Sequence, residues 1–187
     1  MEASFTLPYS EFEAIRQFQR FFPKAGYGVF IPASRQQAGV DFLLLNAKKR
    51  RLLRVQLKSS RAYIQENGPH PIRFWFNNFL RKYRPGAADI YAFLGVYPGY
   101  SQKRRINQPS GIWKTVILVF EDAEIGRLLR RLKTKGGKVD RFFAFGLDVP
   151  SRGGPERVYG TRGQIEHRNL SRHLLRNKVN SLRRRLG

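Results

Sequence analysis

The chain is 187 residues long, 41% hydrophobic and 13% aromatic, with 36 Lys and Arg against 13 Asp and Glu and a formal net charge of +23. That much apolar material excludes wholesale disorder, the lack of cysteine excludes a disulfide framework and a thiolate metal site, no apolar run approaches the ~20 residues of a membrane-spanning helix, and an acidic N-terminus is wrong for a secretory signal. So large a cationic excess calls for a polyanion whose phosphates it neutralises with release of counterions, and the expected setting is cytoplasmic, on the nucleoid, with no membrane partner.

Residues 10–22 read as a helix, with Ser10 as N-cap and Glu13 completing a capping box. Its apolar face is Ala14, Ile15, Phe18 and Phe22. Glu11 precedes Ala14 by three and Ile15 by four, so it falls on that buried stripe, while Glu13 falls with Arg16, Gln17 and Arg20 on the polar side. A strand over 26–31 stops at Pro32, and a polar loop follows. Residues 40–45 form a short apolar run suited to a buried strand, 46–51 a charged turn, and 52–58 the returning arm of a hairpin. A strand over 71–76, a short helix over 77–83 and a strong strand over 89–97 come next. A loop over 98–111 leads to a strand over 112–120. Residues 121–134 read as a helix with acids in the first turn, Arg130, Arg131 and Lys133 in the last, and Gly136-Gly137 beyond it. After a strand over 139–149, residues 151–163 look like a Gly- and Arg-rich linker. Residues 164–186 read as a last helix with Ile165, Leu174, Leu175, Val179 and Leu182 on one side. This order implies an α/β or α+β fold, a mixed β-sheet flanked by helices. Residues 1–150 would form the core, and 151–187 a basic linker and C-terminal helical extension for DNA contact.

Between Glu13 and Glu66 the only acid is Asp41. A carboxylate beside phosphates repels its partner, and a divalent metal gives it a reason to be there; a turn or cap role is the plainer alternative. Side chains alternate along a strand, so Arg54, Gln56 and Lys58 share one face and Val55 and Leu57 the other, with Gln56 and Lys58 ~7 Å apart. If the hairpin turns near Lys49-Arg50, Asp41 lies across from Gln56 and Lys58. A carboxylate, an amide and an ammonium then converge on one sheet surface, with Glu11 delivered from the helix. Phosphodiester hydrolysis uses such a set: Mg²⁺ prefers hard oxygen ligands, a metal polarises the phosphoryl oxygen and activates water, and a lysine orients or deprotonates that water.

Gly39-Val40-Asp41 on one strand and Val55-Gln56-Leu57-Lys58-Ser59-Ser60 on the next, after a helix bearing a glutamate, resemble the PD-(D/E)XK nuclease superfamily. Its members include restriction enzymes, Holliday-junction resolvases, repair nucleases and some homing endonucleases of group I introns. The resemblance covers roughly residues 10–97. It implies a restriction-endonuclease-like core over residues 1–150 and Mg²⁺ (or Mn²⁺) as cofactor. Asp41 would be the metal-binding aspartate, Gln56 would stand in the second acidic position as a further ligand, and Lys58 would be the catalytic lysine. Glu11 would be the helix glutamate, with Glu13 as fallback. Val40 stands where the family often has Pro, and Gln56 replaces an acid. A glutamine carbonyl ligates a metal without charge, so the site should hold one ion weakly rather than two. The implied activity is metal-dependent, site-specific cleavage of double-stranded DNA, of homing type, by a homodimer or homotetramer that supplies two active sites. A restriction enzyme, a junction resolvase and a non-catalytic nucleic-acid binder on an inactivated nuclease fold are the alternatives.

The expected DNA contacts are Arg35, Gln36 and Gln37 before the motif, Lys48, Lys49, Arg50 and Arg51 in the hairpin turn, and Lys103, Arg104 and Arg105 in the later loop. Arg172, Arg176, Arg183 and Arg184 of the C-terminal helix complete them. Ser59 and Ser60 either touch phosphate or simply end a strand. Trp75 and Trp113, among apolar neighbours, read as core. His167 and His173 fall on different faces of a helix and make a poor metal pair.

Overall fold

Helix α1 (Tyr9–Phe21) leads into an antiparallel meander of β1 (Tyr27–Phe30), β2 (Phe42–Asn46) and β3 (Arg51–Arg61). Next come β4 (Tyr63–Ile64), β5 (Ile72–Asn77), the single-turn α2 (Phe79–Lys82), β6 (Ile90–Pro98), β7 (Trp113–Glu121), α3 (Asp122–Arg130), β8 (Phe142–Asp148) and β9 (Arg157–Gly160). Two 3₁₀ turns, Gly163–Ile165 and Ser171–His173, precede α4 (Leu175–Arg185). The computed structural model describes residues 9–32, 39–64, 70–77, 79–99, 113–133, 136–139, 142–149 and 156–187. The fold is α+β. A mixed five-stranded sheet has the order β1-β2-β3-β6-β7, with β3 and β6 parallel, and an antiparallel sheet has the order β4-β5-β8-β9. No helix among the described residues is long and apolar enough to cross a membrane.

Strand alternation sorts the five-stranded sheet into two different cores. On one face Phe42, Leu44, Leu53, Val55, Leu57, Ile90 and Ala92 meet the apolar stripes of α1 and α4. On the other face Tyr91 and Phe93 of β6 and Leu118 and Phe120 of β7 meet Phe74, Phe76, Phe143 and Phe145 of the second sheet. Each fully buried side chain of this size contributes ~1.5–3 kcal/mol against exposure. The aromatic packing is close: a Cβ at Gly95 of β6 would collide with the Phe74 ring. Among the described residues, none from β1, β2 or β3 belongs to this second core. The β2–β3 half of that face is a shelf beside the aromatic sandwich, and its far end meets the second sheet, where Ser60 Oγ accepts the Trp75 N–H.

Several expectations need correction. Helix α1 begins at Tyr9, so Ser10 lies inside it rather than capping it. Glu13, expected on the polar side, is only 5% exposed. It is covered because Thr115 of β7 meets α1 there: Thr115 Oγ1 donates to Glu13 Oε1 at 3.0 Å, and Arg16 and Gln17 donate to the same carboxylate. The long C-terminal helix is broken. Gly163 and His167 have positive φ, Leu170 and Leu174 turn into the aromatic core, and Leu175 starts α4 in the helix-covered core. Residues 156–187 are thus not an appended extension, since β9 pairs with β8, and Leu182 and Leu186 are fully buried. The rest of the expected linker, residues 151–155, lies outside the described residues. Trp113, read as core, is 62% exposed at the edge of the sheet.

Candidate functional site

The site forms on the shelf, from the β2–β3 hairpin. Phe42 pairs with Val55, and Asp41 N–H donates to the same Val55 carbonyl at 2.8 Å, so the regular ladder ends at Phe42 and Asp41 lies at the entry to β2, its carboxylate turned onto the Leu57 N–H. Val55 and Leu57 point into the helix-covered core, so Gln56 takes the opposite face of β3, and the Asp41 carboxylate lies near enough to act on the Lys58 amine. Lys58 lies on that face two residues along β3; Gln56 and Lys58 register with Tyr91 and Phe93 of β6, at the border of the aromatic core. The three side chains are half-buried.

Gly39, with φ of +97°, turns the chain into this position, a conformation that favours glycine. A Cβ there would sit 3.7 Å from Gln56 Nε2 and 3.4 Å from Ala87 Cβ, so the loop before β6 closes over the same spot.

Hydrogen bonds decide which carboxylates are at liberty. Asp41 Oδ2 accepts the Leu57 N–H at 2.5 Å, while its Oδ1 has no such partner among the described residues. Asp89, before β6 on the same face, is taken by Arg54, whose backbone N–H and guanidinium donate to it at 2.8–3.2 Å. Burial opposes its ionisation, but Arg54 prevails and holds the carboxyl below its usual range. Asp122 accepts from Tyr83 Oη at 2.9 Å and from the Gly86 N–H at 3.0 Å. Among the described residues no three His, Cys, Asp or Glu side chains come together as a metal cluster. Asp41 and Gln56 therefore offer one carboxylate oxygen and one amide carbonyl. That oxygen-only set suits a hard divalent cation that retains most of its waters.

Lys58 is the perturbed base of the site. Burial lowers its pKa, and the neighbouring Lys82 of α2 lowers it further, while the Asp41 carboxylate pulls the other way. Lys82 had no signal in the sequence, because a one-turn helix reached through the second sheet has no periodicity to read.

Glu11 does not join this group. It is half-buried on α1, which covers the opposite face of the sheet from Asp41, Gln56 and Lys58. The fallback, Glu13, is engaged by Arg16, Gln17 and Thr115 at the β7 end. Ser60 ties strands together, accepting the Trp75 N–H at 3.2 Å. His173 stacks on Phe120, and His167 lies against His70.

Of the basic candidates, two clusters far apart in sequence meet in space. Asn46 Nδ2 donates to Leu186 O at 3.1 Å, and a Cβ on Gly187 would lie 3.1 Å from Lys49 Cγ and 3.6 Å from Arg51 Cδ. The end of α4, with Arg183 and Arg184, is thereby set beside Lys48, Lys49, Arg50 and Arg51, all exposed, as one cationic rim. Arg183 also donates to Phe21 O at 2.8 Å and lies over the Phe22 ring. Arg172 and Arg176 lie at the other end of α4, where Arg176 is paired with Glu156 at 2.7 Å. Arg35, Gln36, Gln37, Lys103, Arg104 and Arg105 lie outside the described residues. No protein-family model, curated protein or solved structure matches this chain.

Proposed function

We propose that the protein is a metal-dependent endonuclease of double-stranded DNA, on a restriction-endonuclease-like core, acting site-specifically in the manner of a homing enzyme within the cytoplasm. The observation that supports the reading is the Asp41 carboxylate held on the Leu57 N–H, close enough to act on the half-buried Lys58 amine, with Gln56 on the same face of β3 as Lys58. Asp41 and Gln56 would hold Mg²⁺ or Mn²⁺, which supplies Lewis-acid stabilisation of the phosphodiester under attack. The chain's own part is positional and protic. Lys58, shifted toward its neutral amine, orients the attacking water and takes up a proton at Nζ. The Leu57 N–H fixes the Asp41 carboxylate, so its orientation is set before DNA arrives. The cationic rim holds the duplex through phosphates, and a homodimer or homotetramer would bring two sites to the two strands.

Supercoiled plasmid incubated with Mg²⁺ tests this. Wild type should nick and linearise it, and Asp41→Ala and Lys58→Ala should each lose about 10²–10⁴-fold in rate while binding duplex unchanged. Cleavage that survives both substitutions refutes the assignment. A second reading, a DNA binder without catalysis, is favoured because no three His, Cys, Asp or Glu side chains gather among the described residues; intact binding with no cleavage of any DNA by wild type would establish it. Under either reading, Arg50→Gln with Arg184→Gln should lower the log–log salt slope of duplex binding by about 1.8.

A further inference from the structure

Helix α3 and the chain before α4 enclose a cationic groove of about 160 Å³ away from the β2–β3 shelf. With about 10–15 Å³ of such space needed per water, the groove has room for a tetrahedral oxyanion and several waters. Four arginines line it: Arg127 and Arg131 from α3, and Arg168 and Arg172 from the segment after β9. All four are exposed, and no carboxylate pairs with any of them among the described residues.

The groove's one acid does not balance them. Glu124 is gripped by Lys178, whose Nζ lies 2.6 Å from both carboxylate oxygens. The floor is His173, 3% exposed and stacked on Phe120 with ring centroids 4.1 Å apart. Arg172 Nε donates to His173 Nε2 at 3.0 Å, so the imidazole is neutral and carries its proton on Nδ1. Burial, with the Lys178 and Arg172 charges, holds its pKa at about 4 against the pull of Glu124. Nδ1 has no hydrogen-bond partner among the described residues. Four guanidiniums without a carboxylate partner among the described residues repel each other around one concavity, and their planar forks match phosphate oxygens in geometry and charge.

We propose that this groove is a phosphate-binding site, taking the oxyanion of a polynucleotide backbone or of a free phosphate. It stands independently of any cleavage at Asp41. The test uses the full chain, with labelled histidine imidazoles as reporters and inorganic phosphate titrated against chloride at matched ionic strength. Phosphate should shift the His173 signals saturably, with affinity roughly millimolar. Arg127→Gln with Arg168→Gln should weaken that binding about tenfold, and Lys114→Gln with Lys138→Gln, exposed and equal in charge, should leave it alone. Both pairs should melt like wild type, since the altered side chains are exposed. Equal shifts by chloride and phosphate, or equal weakening by both pairs, would overturn the proposal. Duplex binding then identifies the source. A salt slope reduced by about 1.8 in the groove pair points to backbone phosphates, whereas an unchanged slope with lost phosphate binding points to a free phosphate or nucleotide.

Discussion

One face of the five-stranded sheet is split between two environments. Its β6–β7 half presents Tyr91, Phe93, Leu118 and Phe120 to the second sheet, all fully buried. Its β2–β3 half presents Leu43, Arg54, Gln56 and Lys58, with Asp41 at the entry to β2, none fully buried. The boundary runs between β3 and β6, two parallel neighbours in continuous register. The aromatic wall of β6 removes water from one side of the half-buried Gln56 and Lys58. Lys58 registers with Phe93, and its depressed pKa follows from that border position.

The contrast can be broken by truncating one residue on each side. Phe93 meets Phe76, Phe79, Phe120 and Phe143 with ring centroids 4.7–5.8 Å apart. Phe93→Ala should cost about 3–5 kcal/mol in denaturant unfolding, and Leu43→Ala, on the shelf, under about 1 kcal/mol. Similar losses would mean that the shelf is covered as fully as the sandwich.

A smaller effect comes from the sheet's other face. The Arg16 guanidinium, helped by Gln17 and Thr115 against the opposing effect of burial, lowers the Glu13 pKa to about 2 from its usual 4.5. With the folded value the lower one, the stabilisation is complete above pH 4.5 and is lost as pH falls through 2. Because Arg16 is 53% exposed, solvent screening reduces it to about 2 kcal/mol. Glu13→Gln should therefore be less stable than wild type at pH 7, with the gap closing toward pH 2 in urea unfolding. A gap independent of pH would mean that packing, not charge, is what Glu13 supplies.

What was legible in the sequence was local. Period-two alternation was enough to put Gln56 and Lys58 on one face of β3, away from Val55 and Leu57. The burial of Glu13 was not legible, because its cover is Thr115, 102 residues away. Nor was the docking of α4: a turn of four residues and a C-terminal Arg-rich helix gave no sign that Asn46 would hold Leu186. β4 and β9, two and four residues long, are too short to carry a pattern, so the second sheet went unseen. Glu11 followed the apolar stripe of α1 correctly as a helical position, but the stripe faces the side of the sheet away from Asp41.

The smallest expected effect probes the residue that departs from an acidic ligand pair. Gln56→Glu keeps the side chain's length and its place on β3 two residues from Lys58 while adding one negative charge. A second carboxylate beside a divalent ion, even with solvent screening and the Lys58 ammonium nearby, should tighten Mg²⁺ binding about tenfold. Calorimetric titration of the full chain reads this directly, without DNA. The same change should pull the Lys58 pKa back up, because a fixed negative charge on its face favours the ammonium. If metal affinity is unchanged while the Lys58 amine signal moves, the carboxylate at 56 faces the lysine and not the cation. Asp41 would then be the one protein ligand on the shelf, and Gln56 a residue that orients Lys58.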